Sequence, residues 1–206
     1  MQAPAAVPTF LKIAEGIKSN PDVRHEAIQA LSNMQIMSAT PLLMGIVADT
    51  QDDTMVRIYA LQALNNMKVR TTIPLCTKIA ANRKDDSGIR NNAMWALAKM
   101  RVVSATPLLM EIASNRAEED VSPRFNAVGA LASLQRTEAI PLLMKIAEDT
   151  TDHGHVRISS FRALAEMKAT SALPILRKIS QDATISSEIR SEAERALKQI
   201  QDSGAH

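Results

Sequence analysis

Histidine, cysteine and clustered carboxylates are the side chains with which a protein most readily does chemistry. This chain of 206 residues uses the first two sparingly: His25, His153, His155, His206 and a single Cys76. The densest group is the run Glu-Asp-Thr-Thr-Asp-His-Gly-His at 148–155, which holds Glu148, Asp149, Asp152, His153 and His155. Carboxylates beside two imidazoles can hold a divalent cation. The same residues also suit a solvated loop before a helix, because acids favour the positive end of the helix dipole. The loop reading needs no further partner and is preferred. No histidine shares a helical face with a nucleophile or with a carboxylate at metal spacing. No catalytic residue, metal or cofactor is therefore expected, and the chain is read as a non-enzyme.

A second set of chemically capable residues is more regular. Arg24, Arg57, Arg90, Arg124, Arg157 and Arg190 recur at steps of 33 or 34. A ladder of cations can grip a polyanion. Acids precede almost every rung, however: Asp22, Asp53, Asp86, Asp120, Asp152 and Glu188. Pairing within and between repeats, with bonds to loop carbonyls, accounts for the column without a ligand. The ladder is accordingly read as structural, and nucleic acid as an improbable partner.

The elements that carry these residues follow from the same period. Pro8, Pro41, Pro74, Pro107, Pro141 and Pro174 are spaced by 33, 33, 33, 34 and 33, and Ala-Leu pairs ending at Leu31, Leu64, Leu97, Leu131, Leu164 and Leu197 keep the same time. The string Ser-Ala-Thr-Pro-Leu-Leu-Met at 38–44 returns unchanged at 104–110, two periods later. Each period holds two helical patterns. The longer reads "VRHEAIQALSNM" at 23–34, with apolar steps of three and four at Val23, Ala27, Ala30, Leu31 and Met34. The shorter reads "PLLMGIVA" at 41–48, with Leu42, Leu43, Ile46 and Val47 on one side. Proline opens it because the missing N–H would be unpaired in a first turn. Thr40 and Thr106 stand where a hydroxyl can cap, and Ser122-Pro123 repeats the device at one longer helix. One such pair cannot bury its apolar stripe alone, and stacking pairs gives a continuous core. The fold class is all-α: an α-solenoid of about six stacked two-helix repeats. Cys76 falls in the column of Phe10, Leu43, Leu109, Leu143 and Leu176, and is read as core.

Arginine at the start of the longer helix, Ala-Leu in its middle and Pro-Leu-Leu opening the shorter one resemble the HEAT-repeat family, in its short, regular form. The resemblance covers about residues 8–200. The Trp-Leu-Gly-Tyr cues of tetratricopeptide repeats and the Thr-Pro-Leu-His of ankyrin are missing. The resemblance implies a binding surface on the shorter helices, which would line the concave side. It also brings an alternative, since some similar proteins are subunits of chromophore lyases, of the phycobilisome-lyase type, or maturation factors that hold a client or cofactor. His25-Glu26 is similar to the His-Glu dyads of deoxyhypusine hydroxylase, a HEAT-like iron enzyme. The matching positions here are Ile58-Tyr59, Asn91-Asn92, Phe125-Asn126, Ile158-Ser159 and Ser191-Glu192, so a two-metal site is not built.

Composition agrees with a helical, non-membrane scaffold. Aromatics are 2% of the chain, methionines number 11 and glycines six, and net charge is +2 from 24 basic and 22 acidic residues. The balance leaves no strong nucleic-acid or membrane footprint, and the compartment stays open. Residues 1–7 are expected to be a leader or linker, 8–200 the solenoid and 201–206 a flexible tail. Thr9 and Glu194 put polar groups at the ends of otherwise apolar columns, as capping repeats require.

Two surfaces are candidates for a protein or peptide. On the shorter helices, Leu11, Met44, Lys78, Met110, Glu111, Met144, Lys145 and Lys178 would form a pliable apolar strip with charged borders. The methionines could equally fill gaps between helices. On the longer helices, Tyr59 and Trp95 are expected on a convex, solvent-facing side as interface anchors. Basic residues at the long-to-short turns (Lys68, Arg70, Lys99, Arg101, Arg136, Lys168) and acids in the opposite loops are accounted for by helix-end preferences.

Overall fold

A computed structural model describes residues 3–17, 19–117 and 119–203. These form twelve α-helices in which short and long alternate: α1 (Ala3–Glu15), α2 (Pro21–Asn33), α3 (Thr40–Ala48), α4 (Thr54–Asn66), α5 (Ile73–Ala81), α6 (Ser87–Lys99), α7 (Thr106–Ser114), α8 (Ser122–Ser133), α9 (Ile140–Glu148), α10 (Gly154–Glu166), α11 (Leu173–Gln181) and α12 (Ser187–Ser203). Among the described residues there is no strand. The expected α-solenoid of two-helix repeats is therefore what the chain forms.

The chain divides into two compact units between Met100 and Arg101. In the first, α1 packs on α2, α3 on α4 and α5 on α6, and α4 lies between α2 and α6. In the second, α7 packs on α8, α9 on α10 and α11 on α12, and α10 lies between α8 and α12. The core of each unit is aliphatic and alanine-rich. Leu43, Leu64, Cys76 and Leu97 are fully buried in the first, as are Leu109, Leu131, Leu143 and Leu164 in the second. Burial pushes the Cys76 thiol up to about 11, consistent with an inert core residue.

Within each unit the long helices lie against one another along their lengths, whereas neighbouring short helices approach at few points. The contacting faces explain this. Ala27, Ala60, Ala63, Ala93 and Ala96 are all at most 3% exposed, and such small side chains let backbones come close. Within each unit the short-helix layer is thus the more widely spaced one.

Helix ends show which local signals act. Five long helices take a side-chain N-cap: Asn20 accepts from Asp22 N–H, Asp53 from Met55 and Val56, Asp86 from Gly88, His153 from His155, and Ser186 from Ile189. Long helices end on a left-handed residue that is not glycine: Gln35, Lys68, Arg101, Gln135 and Lys168, with φ between 52° and 58°. At Gln35 the following Ile36 N–H bonds to Leu31 C=O, and Gln35 N–H bonds to Ser32 C=O, the paired closure of a Schellman motif. A single 3₁₀ turn then leads straight into each of α3, α5, α7, α9 and α11.

That turn overrides the expected threonine caps. Thr40 and Thr106 are already the first helical residues, after Ala39 and Ala105. Thr106 Oγ1 donates back to Val103 C=O instead, and Thr40 Oγ1 has no partner among the described residues. Ser122 likewise does not cap α8, because Asp120 accepts from both its N–H and its hydroxyl.

The ends of the chain also differ from expectation. Residues 3–7, expected as a leader or linker, belong to α1, which contains Pro8. Ala3, Ala5 and Ala6 are strong helix formers ahead of the proline. At the other end α12 runs to Ser203, continuing past the buried row Ala193, Ala196 and Ile200, so 201–203 are helical. Residues 1, 2 and 204–206, His206 among them, lie outside those described. Thr9 and Glu194 are exposed, whereas Ile28, Leu61, Met94, Val128 and Phe161, the counterparts of Glu194, are buried.

Candidate interaction surfaces and the arginine ladder

The ladder is the most constructed feature of the molecule. Arg24, Arg57, Arg90, Arg124 and Arg157 are at most 4% exposed, and only the last rung, Arg190, is half-buried. Arginine at the fourth position of a long helix (the third in α8) thus sits on the buried face, while Val23, expected there, is 50% exposed. Each buried arginine donates Nε–H to a carbonyl at the end of the preceding short helix: Ala14, Val47, Ala80, Ala113 and Ala147, at 2.9–3.3 Å. Those carbonyls are among the groups a helix C-terminus leaves unpaired, so one side chain seals one helix end onto the start of the next.

In Arg24, Arg57 and Arg124 the two Nη groups reach 28 residues on, to a carboxylate in the loop of the following repeat. Arg24 grips Asp52 with Nη2–Oδ2 at 2.7 Å, and Nη1 also donates to Oδ1. Arg57 grips Asp85 with both bonds at 2.7 Å, and Arg124 grips Asp152 at 2.6 and 2.7 Å. This is the parallel two-bond fork that arginine makes with carboxylates. Burial pulls the Asp52 and Asp152 carboxyls upward. Bonds from Arg24 or Arg124 and from the next backbone N–H, with the arginine charges, outweigh burial and hold both below the ordinary range. For Asp85 the Arg57 bond is the largest influence, and it too is lowered.

The acids expected as partners are only partly the right ones. Asp152 is a rung partner, but of the arginine one repeat earlier. Asp53 and Asp86 cap helices, and Asp120 binds Ser122. Sequence adjacency pointed to the neighbouring acid, whereas the fork reaches across to the next loop. A signal was present: an acid stands 28 residues after Arg24, Arg57, Arg90 and Arg124.

The 148–155 run is dispersed into structural roles. Asp149 accepts from Thr151 and Arg116, Asp152 serves Arg124, and His153 caps α10 through Nδ1. The His153 and His155 rings are tilted with centroids 5.2 Å apart. Among the described residues no three His, Cys, Asp or Glu side chains are grouped to hold a metal. Among them, too, no helix is long and apolar enough to cross a membrane.

The short-helix strip splits between the units. In the first, Leu11 and Met44 are half-buried and Lys78 exposed; in the second, Met110 and Met144 are half-buried and Glu111, Lys145 and Lys178 exposed. On the long helices Trp95 is 42% exposed. Tyr59 is half-buried and lies flat on His25, with ring centroids 3.5 Å apart and planes 16° from parallel. The pair borders a small polar groove between α2 and α4 that also takes in Gln29, Gln62 and Asn66.

Twelve helices in short-long pairs, five of them joined by a buried arginine, define a helical-repeat protein. The family model for HEAT repeats matches residues 50–123 and 114–198, together well over half the chain. The chain belongs to the HEAT-repeat family. No curated protein matches it. Among solved structures it is similar to human deoxyhypusine hydroxylase in complex with glycerol, at 15% identity over 97% of both chains, with a TM-score of 0.37. A likeness that distant bears on neither activity nor site.

Proposed function

We propose that this protein is a non-catalytic scaffold that takes a protein or peptide on its short-helix surface. The observation that supports this most is the pattern on α7, α9 and α11. Half-buried Met110 and Met144 alternate with exposed Glu111, Lys145 and Lys178 on helices that barely touch one another. Thioether side chains between spaced helices adapt to an apolar ligand, and flanking charges orient it. Leu11, Met44 and Lys78 present the same chemistry in the first unit. Arg24, Arg57 and Arg124 are spent on carbonyls and carboxylates within the fold, which argues against a nucleic-acid role for those rungs. The double variant M110E/M144E should lose captured partner in affinity pull-down from the native source while keeping its helical circular dichroism. Capture unchanged by the double variant sinks this reading.

The exposed Trp95 favours a second surface on the long helices of the first unit, with the His25–Tyr59 stack beside the α2–α4 groove. Tryptophan and tyrosine are the commonest anchors of interfaces. Capture lost in W95A but retained in M110E/M144E would move the site there.

A further inference from the structure

The ladder is broken at one rung. Twenty-eight residues after Arg24, Arg57 and Arg124 stand Asp52, Asp85 and Asp152, but 28 after Arg157 stands Ile185. Arg157 is 3% exposed and its Nε donates to Ala147 C=O at 3.2 Å like the others. Its Nη2 has no hydrogen-bond partner among the described residues. Burial draws its pKa down, against the pull of Asp149 and Asp152. A buried guanidinium short of partners is costly, which is why such groups are normally paired.

Beside it lies a cleft of about 100 Å³, lined by Arg157, Lys178, Ile175, Ile185, Glu148 and Asp182. Asp182 is engaged by Thr184, whose N–H and hydroxyl donate to Oδ1 at 2.9 and 2.6 Å. Glu148 closes the end of α9 and is exposed. These acids do not preclude an anion, because Arg57 takes Asp85 while Asp49 and Asp86 also act on it. The cleft has room for a carboxylate on a short stem.

We propose that Arg157, with Lys178 at the cleft mouth, is a carboxylate-binding socket for an external ligand, which supplies the two-point contact that aspartate supplies to Arg24, Arg57 and Arg124. The ligand is a free small carboxylate or the side chain of an acidic residue on a partner. The socket shares Lys178 with the methionine strip, but Arg157 carries it and its test needs no native partner.

Acetate is titrated into the intact chain against chloride at equal ionic strength, following the Arg157 Nε–H resonance and the thermal midpoint. Acetate should shift that resonance saturably, and chloride should not. Ile185→Asp fills the socket from within, so it should raise the midpoint by roughly 5 °C and abolish the acetate response. Arg157→Met should abolish the response to acetate in the midpoint. A blocked tripeptide with a central aspartate, compared with its asparagine analogue, separates the two sources. Saturation tighter than acetate assigns a partner's side chain, and saturation equal to acetate assigns the free anion. The socket is overturned by a wild-type response no larger in acetate than in chloride, by a response that survives Ile185→Asp, or by an Ile185→Asp chain less stable than wild type.

Discussion

Arg124 and Arg157 occupy the same place in consecutive helix pairs and are equally withdrawn from water, at 4% and 3% exposure. One closes a two-bond fork on Asp152; the other faces Ile185 with a nitrogen unpaired. The comparison separates two jobs that the ladder column merges. Sealing the preceding short helix is common to both, through Ala113 and Ala147. Locking the next repeat in register belongs only to the rung with a carboxylate.

The largest expected effect follows directly. Arg124→Met strands the buried Asp152 carboxylate and should cost about 3–5 kcal/mol in urea unfolding. Arg157→Met gives up chiefly one bond to a carbonyl, about 1 kcal/mol. Equal losses at the two positions would erase the distinction.

Acid provides a gentler separation. The folded-state pKa values of Asp52, Asp85 and Asp152 lie below their unfolded values. Their contribution is complete above the unfolded carboxylate value of about 3.9 and is lost as pH falls through the folded values. Thermal midpoints should therefore decline steeply below about pH 4. Asp152→Asn should start from a lower midpoint at pH 7 and show a shallower decline, while Arg157→Met should follow the wild-type slope. A decline in Asp152→Asn as steep as the parent's would remove the fork from the account.

The smallest effect lies at the turns. Lys68 holds φ 58° without being glycine, a conformation that costs roughly 1 kcal/mol for a residue with a Cβ. Lys68→Gly should recover about that much. At Gln35 the side chain also donates Nε2–H to Ser32 C=O at 2.9 Å, so Gln35→Gly should recover less. Chemical denaturation midpoints of both variants test the order.

Much of the architecture was legible in the residues. Prolines, Ala-Leu pairs and arginines recurring at 33 or 34 disclosed helix pairs, because a repeated unit must bury the same face each time. Leu42, Leu43, Ile46 and Val47 were read as one inward face and Cys76 as core on that ground, and all but the half-buried Leu42 are buried. The candidate surfaces were legible as positions, but less so as environments. Tyr59 could be placed on an outer face, yet its stacking on His25 depends on the separation of α2 and α4. Threonine before proline looked like a cap, and the preceding 3₁₀ turn took that role away.

What the residue order alone determined is the period, and with it the two-helix unit and a structural role for one arginine per repeat, since those follow from local pattern and from the need to hide apolar stripes. Which carboxylate meets which arginine was decided only by stacking. The fork spans from one helix pair to the loop of the next, and a distance of 28 residues along the chain becomes under 3 Å only when the pairs lie side by side. The same stacking leaves Arg157 against Ile185, because an ion pair between repeats exists only where both repeats supply their half.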